Sequence, residues 1–232
     1  MTKEVTDTGL SRSSPFLFVC GRCSSCCHNQ KIQVNPYEIA RMASYIGIST
    51  TEFIDGYTKR GVYLKRRKDG RCIFLGADGC GIHPHRPMVC RLYPLGRTVD
   101  TSGAETFSVV ATPSWCKGTF EKSGTIASYL DLAGLAPYMQ AADRYLKLFE
   151  KLALTVKKDV LNGDMEPPPA SMLVTPGRDL PEHFPALLDI DGLFREKAAD
   201  GEKPPRSPED KMLRHIRLLE EWLAQYKKGD KK

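Results

Sequence analysis

The stretch Cys20-Gly-Arg-Cys-Ser-Ser-Cys-Cys27 holds four of the eight cysteines in this chain of 232 residues. A spacing of two residues lets successive thiolates turn back onto one ion, as in zinc knuckles and in bacterial ferredoxin runs. The intervening residues are glycine, arginine and serine, so buried packing cysteines would not be expected in this pattern. The stretch therefore predicts a metal site built from thiolates, and the fold of the first half of the chain is expected to form around it.

The adjacent pair Cys26 and Cys27 constrains that site further. Neighbouring side chains point about 100° apart on a helix and to opposite faces of a strand, so both thiols reach one small ion only with difficulty. We therefore expect Cys27 to serve a second metal, or a different corner of a larger cluster.

The remaining cysteines lie far downstream. Eight thiols divide into two sets of four, which is the usual number for zinc or for an iron–sulfur cluster. One site plus several spare thiols is the alternative. His28, His83 and His85 are weaker candidates, either as ligands or as hydrogen-bond donors to the ligands. The candidate metal ligands are Cys20, Cys23, Cys26, Cys27, Cys72, Cys80, Cys90 and Cys116.

Composition limits the class of protein. The formal charge of +6 arises from 34 basic and 28 acidic residues that are mostly spread along the chain, so we expect no nucleic-acid partner. The N-terminus has no apolar run typical of a signal peptide, and no stretch of eighteen apolar residues predicts a membrane span. We therefore expect a cytoplasmic protein, in which thiols stay reduced and clustered cysteines indicate metal more than disulfides.

Local signals predict an α+β fold that is mainly helical. Asn35 caps a helix opened by Pro36, and Ser49 with Glu52 forms a capping box for a second helix. Val62–Leu64 and Cys72–Leu75 are predicted to pair as a short β-hairpin around Asp69-Gly70. The other predicted elements are a strand at Thr106–Val110 and helices at 123–133, 137–162, 187–198 and from Ser207 onward.

These elements predict five regions. A small, irregular, cysteine-rich metal-binding region with the short hairpin is followed by a helical C-terminal half, whose apolar stripes serve core packing or a protein partner. The predicted regions are a disordered tail (1–15), the cysteine-cluster metal-binding domain (16–120), a helical segment packed on it (121–163), a Pro-rich connector (164–206), and the C-terminal helix with its basic tail (207–232).

The cysteine run and its context resemble a known family. The run looks like the signature of the CxxCxxCC cysteine-cluster family, also called YkgJ-like, a zinc- or iron-chelating domain. The similarity extends from Phe16 to Gly118, about half of the chain. It includes the segments Asn35–Tyr57, Cys72–Leu75, Gly79–His83, Arg86–Pro94 and Trp115–Gly118. One relative, the flagellin lysine N-methylase, carries an iron–sulfur cluster and methylates protein lysines.

Motifs and resemblance together suggest three functions. The first is a protein that holds an iron–sulfur cluster or clusters, expected to be [4Fe–4S], with a redox or cluster-dependent enzyme role. The second is a zinc-chelating structural or interaction protein. The third is a protein-lysine N-methyltransferase-like enzyme, although the chain has no glycine-rich loop for S-adenosylmethionine. Arg86 and Arg91 near Cys90 could hold either a thiolate or an anionic substrate, and the structural role is favoured.

Overall fold

The structure, a computed structural model, describes residues 5–161, 187–197 and 205–229. Most of the predicted Pro-rich connector (164–206) and the last residues of the basic tail lie outside the described residues. The chain divides into two compact units that alternate along the sequence. The first unit contains the described residues up to Ile32 together with Arg66–Met139, and the second contains Gln33–Lys65 together with the described residues from Gln140 onward.

The described residues form seven α-helices and nine β-strands, which confirms the α+β class. The helices are α1 (Pro36–Ile46), α2 (Thr50–Tyr57), α3 (Met88–Leu92), α4 (Ile126–Leu132), α5 (Ala136–Leu161), α6 (Ile190–Lys197) and α7 (Pro208–Gly229). The strands are β1 (Val5–Leu10), β2 (Pro15–Val19), β3 (Thr58–Lys59), β4 (Tyr63–Leu64), β5 (Leu75–Gly76), β6 (Gly79–Cys80), β7 (Leu95–Val99), β8 (Glu105–Val110) and β9 (Thr119–Thr125).

The first unit is built on small antiparallel sheets. One sheet has the order β1-β8-β7, while β2 pairs with β9 and β5 with β6. Phe16 and Phe18 point from β2 into a core that also holds Phe107, Ile126 and Leu135. Alternate residues of a strand face the same side, so β2 delivers both rings to one core.

This unit contains more strand than the sequence predicts. Where a disordered tail is expected over 1–15, β1 pairs with β8, so its backbone hydrogen bonds come from residues about a hundred positions away. The predicted pairing of Val62–Leu64 with Cys72–Leu75 is wrong, because β4 pairs with β3 and β5 with β6. A shorter hairpin does form, since Arg66 and Cys72 make an isolated antiparallel bridge. The Asp69-Gly70 turn does form, since the N–H of Arg67 donates to the carbonyl of Arg71 at 2.8 Å.

The second unit is mainly helical, and its helix starts agree with the sequence. Asn35 and Glu38 form a complete capping box at α1, and Ser49 and Glu52 form another at α2. The Ser207 hydroxyl accepts the N–H of Asp210 at the start of α7. These caps satisfy backbone N–H groups that have no partner within the helix.

The predicted domain over 16–120 stays a prediction, and the two units cut across its bounds. Residues 33–65 group with the C-terminal helices, because Tyr37 of α1 donates a hydrogen bond to Glu209 of α7 at 2.7 Å, and Ala40 packs against Ile190 and Phe194. None of the described helices is both long and apolar enough to cross a membrane.

Candidate metal centre

The backbone of the cysteine run is held in an uncommon conformation. Arg22, Ser24 and Asn29 have φ angles of 48°, 61° and 55°, in the left-handed region that residues other than glycine seldom adopt. Ser25–Cys27 forms a single 3-10 turn between them. Left-handed residues within a turn bring side chains and N–H groups to one side of the loop. Such outliers gather at functional sites, and here they flank the cysteines.

Four thiols form what we call the inner thiol group: Cys26, Cys27, Cys72 and Cys80. The pKa of Cys27 is raised by contact with the Cys26 thiol, then by burial, and then by the charges of Cys26, Cys80 and Cys72. Burial is also the main cause of the raised pKa of Cys72 and of Cys80. These thiols therefore lie within one another's electric field, and a cation among them would stabilise their deprotonated forms.

Backbone hydrogen bonds hold the inner thiol group together. The N–H of Cys72 donates to the carbonyl of Cys27 at 2.9 Å, and His28 forms a β-bridge with Arg71. Cys80 lies in β6 opposite Leu75 of β5. The cysteine run and the two downstream cysteines are thus joined by ladder-type contacts between main chains.

Cys20, Cys23 and Cys116 form what we call the outer thiol group. The backbone N–H of Lys117 donates to the sulfur of Cys23 at 3.3 Å, and that of Gly118 lies 3.5 Å from the sulfur of Cys116. The Lys117 N–H is the main cause that lowers the pKa of Cys23 to about 7, and the Ser25 hydroxyl, 3.0 Å from the sulfur, acts next. The pKa of Cys116 is raised, first by burial and then by charges that include those of Cys23 and Cys20. Cys23 is therefore the thiol of this pair that deprotonates first.

Two glycines permit the close approach that assembles the outer thiol group. A Cβ on Gly21 would lie 2.3 Å from the carbonyl oxygen of Lys117, and a Cβ on Gly118 would lie 2.1 Å from the ring of Phe18. Real Cβ atoms do not approach so closely, so only glycine fits without a shift of the backbone. The segment from Cys20 to Cys23 therefore lies against Lys117, and Gly118 lies against Phe18 of the preceding strand.

Cys90, in the short helix α3, is linked to the thiols through Arg86. Burial lowers the pKa of Arg86, and the charge of Arg91 lowers it further, while the charges of Cys90, Cys20 and Cys80 raise it. Arg91 donates to the carbonyls of Arg86, Ala133 and Pro84, so it clamps the backbone around α3. The structural role predicted for these arginines agrees with this geometry.

Cys26 belongs to the inner thiol group and shares one neighbour, Tyr93, with the outer thiol group. Its charge acts on Cys27, Cys72 and Cys80 of the inner group. It also acts on Tyr93, whose pKa rises to about 12, first because of burial and then because of Cys116, Cys26, Cys23 and Cys20. The adjacent cysteines thus contact each other, and the expectation that they serve different metals stays a prediction.

The histidines lie at the margin of the site. Nδ1 of His28 lies 3.1 Å from the carbonyl oxygen of Ser24, and His83 contacts Arg86, whose Nη1 is 3.3 Å from its Nδ1. The pKa of His83 is lowered by burial and then by Arg86, Arg22 and Arg91. His83 therefore lies among cations, a poor position for a further cation ligand. No sequence pattern predicted a role for Ser25, Tyr93 or the Lys117 N–H, which contribute to the site through hydrogen bonds and packing.

The donor chemistry fits a soft metal. All eight cysteines are free thiols. In residues 5–161, 187–197 and 205–229, no three His, Cys, Asp or Glu side chains are already arranged as ligands of one ion. Binding would require the sulfurs of a group to come within a metal–sulfur distance of about 2.3 Å of one ion. Sets of thiolates are the ligands of zinc and of iron–sulfur clusters.

A fold of small sheets and short helices around gathered thiols defines a cysteine-rich metal-binding domain. Residues 19–117 match the model of the CxxCxxCC family, described as a putative zinc- or iron-chelating domain. This segment is therefore a CxxCxxCC domain, and it carries all eight cysteines. No curated protein and no solved structure matches the chain.

Proposed function

We propose that this protein binds an iron–sulfur cluster through its cysteines, in support of a redox or enzymatic role. The observation that carries the proposal is the gathering of seven free thiols from three separate parts of the sequence into two groups, with the eighth, Cys90, linked to them through Arg86. Thiolates are the standard ligands of such clusters, and hydrogen bonds to the sulfurs tune their reduction potential. The N–H groups of Lys117 and Gly118, directed at Cys23 and Cys116, support this reading.

The experiment is metal and acid-labile sulfide analysis of protein purified without oxygen, together with a visible spectrum. Iron with matching sulfide and a broad absorption band would support the proposal. Zinc without sulfide would overturn it in favour of the second candidate, a zinc-chelating structural protein. That candidate draws on the same thiols, because four thiolates around one ion also suit tetrahedral zinc.

Single substitutions test the predicted ligands. Cys23→Ser and Cys26→Ser should each lower bound metal, because a hydroxyl is a far weaker ligand than a thiolate. His28→Gln is the matched control beside the same run and should leave the metal content unchanged. Unchanged metal in both serine variants would refute the ligand assignment, and a fall in His28→Gln would add a histidine to the set.

The methyltransferase-like alternative rests on the family resemblance alone. It stays a prediction that calorimetry with S-adenosylmethionine would test, using protein that carries its metal.

A further inference from the structure

A cleft in the second unit lies between the helices α6 and α7. Its volume is about 500 Å³, which lies within the range of about 300–1,000 Å³ that is usual for small-molecule sites. All of its lining residues belong to the second unit, whereas the eight cysteines belong to the first, so the cleft is no part of the candidate metal centre. The apolar side chains that line it are Leu187, Leu193, Leu218, Leu219 and Trp222.

Packing in the second unit holds the apolar wall of the cleft in place. Leu219 is 2% exposed, and Leu218 packs against the buried cluster of Ala40, Ile190 and Phe194. Trp222, in contrast, keeps 39% of its surface exposed. The cleft therefore combines a fixed apolar wall with one aromatic ring that a ligand can cover.

The charged residues of the cleft are mainly acidic. Asp189, Glu196, Glu221 and Lys197 line it, which gives a formal charge of −2 (−3 + 1) in a chain whose net charge is +6. Lys197 pairs with Glu196 at 3.2 Å. Negative charge in a cleft with apolar walls attracts cations and raises their local concentration.

Asp189 is held in a fixed position directly before α6. Its carboxylate accepts the hydroxyls of Thr50 and Thr51, each at 2.6 Å, and the N–H of Gly192 at 2.9 Å. All three donors are uncharged, so they leave the negative charge of Asp189 in place. An ionised carboxylate offers about four acceptor positions, so one remains for a donor from a ligand.

We propose that this cleft binds a small organic cation, with an ammonium or guanidinium head on an apolar body. The carboxylates attract the charged head, and the leucines cover the apolar body. The face of Trp222 favours a cation as well as an apolar group. The proposal goes beyond the proposed function and does not depend on it, because no cysteine takes part.

The test uses the full chain with its metal and the substitution Trp115→Phe, which leaves Trp222 as the sole tryptophan of the two in the sequence. The probes are hexylammonium, 1-hexanol and hexanoate, which share an apolar chain of similar length and differ in charge. Emission of Trp222 should move to shorter wavelength, because a ligand in the cleft removes water from the indole. Hexylammonium should bind about tenfold more tightly than 1-hexanol, and hexanoate should bind most weakly.

Two neighbouring glutamates provide a matched pair of variants. Glu221→Gln removes a charge from the cleft and should weaken hexylammonium binding several-fold while leaving the binding of 1-hexanol unchanged. Glu220→Gln is the control, since Glu220 is an exposed residue of the same helix outside the lining of the cleft. Leu193→Trp fills the cleft and should abolish the binding of all probes, and thermal unfolding checks that each variant is folded.

Three results would overturn the proposal. Equal binding of hexylammonium and 1-hexanol would remove the preference for a cation. Equal weakening in Glu221→Gln and Glu220→Gln would assign the attraction to the surface of α7 as a whole. No change in Trp222 emission at about 10 mM of any probe would mean that the cleft takes no small ligand. None of these results bears on metal binding, which is measured separately.

Discussion

The two units of this molecule solve the problem of buried polar groups in opposite ways. In the second unit, polar side chains satisfy one another: Thr50 donates to Asp189 at 2.6 Å, and Lys211 pairs with Asp191 at 2.6 Å. In the first unit, thiols are gathered so closely that the pKa of Cys27 is raised by its neighbours. These polar groups of the second unit find partners within its own chain, whereas the gathered thiols of the first unit leave an electrostatic demand that a metal cation can meet. The stability of the two units should then respond to different variables.

Removal of the metal should give the largest difference in stability between the two units. Chelation is expected to destabilise the first unit by on the order of 10 kcal/mol, the scale at which thiolate-bound metal stabilises small domains. Hydrogen exchange should show the amides of Cys72, Lys117 and Gly118 exchanging rapidly, while the amides of α7 stay protected. Equal loss of protection in both units would contradict the comparison.

Core truncation should affect each unit by itself. Phe107 in the first unit and Phe53 in the second are 1% and 0% exposed, so they form a matched pair. Each Phe→Ala change should cost about 3–5 kcal/mol through lost burial and the cavity left behind. Denaturant unfolding measures these losses of stability. Metal content, measured on the same variants, should be lower in Phe107→Ala only. Loss of metal from Phe53→Ala would mean that the units are not independent.

Acid should weaken the second unit through His215. This side chain is buried beside Tyr145, whose hydroxyl is 2.9 Å from Nδ1, and burial lowers its pKa to about 4, against an opposing effect of Asp189. Between about pH 6.5 and about pH 4, His215 is protonated in the unfolded chain but stays neutral in the folded unit. Stability should therefore fall by about 3 kcal/mol as the pH drops through this window, and level off below it.

Denaturant unfolding followed by a probe in α7, repeated from pH 7 to pH 4, measures this dependence. His215→Gln should be less stable at pH 7 and should lose most of the slope. A slope that survives the substitution would assign the effect to other groups.

Single hydrogen bonds should give the smallest effects. Thr50→Val keeps the shape of a fully buried side chain but removes the donor to Asp189 and the acceptor for the Asp191 N–H, so it should cost about 1–3 kcal/mol. Tyr129→Phe removes a hydroxyl that donates to the carbonyl of Tyr93 at 2.8 Å, and should cost about 1 kcal/mol. Thermal unfolding compares the two variants, and a larger effect for Tyr129→Phe would reverse the expected order.

The sequence predicted best what depends on near neighbours. The starts of α1 and α2 were readable because a cap and its acidic partner lie three residues apart, as Asn35 and Glu38 do. The strand at β8 was found from its own β-branched and aromatic residues. The cysteine run was recognisable because ligand spacing is also a local signal.

Pairing across long distances could not be read in the same way. Strand β2 pairs with β9, about a hundred residues later, and no turn signal in the sequence links the two strands. The predicted hairpin was too long: Asp69-Gly70 does form a turn closed by a bridge between Arg66 and Cys72, while strands β4 and β5 pair elsewhere. The grouping of the thiols could not be predicted either, because no local signal indicates that Cys23 lies near Cys116 and Cys27 near Cys72.

The alternation of the two units along the chain has a consequence for synthesis. Cys116 follows Cys20 by 96 positions (116 − 20). At a translation rate of about 5–20 residues per second, the first thiols wait roughly 5–20 s before the last one leaves the ribosome. During that interval the CxxCxxCC run is a nascent chelator without its closing segment. The cell must therefore keep these thiols reduced and free of the wrong metal until residues 116–118 arrive.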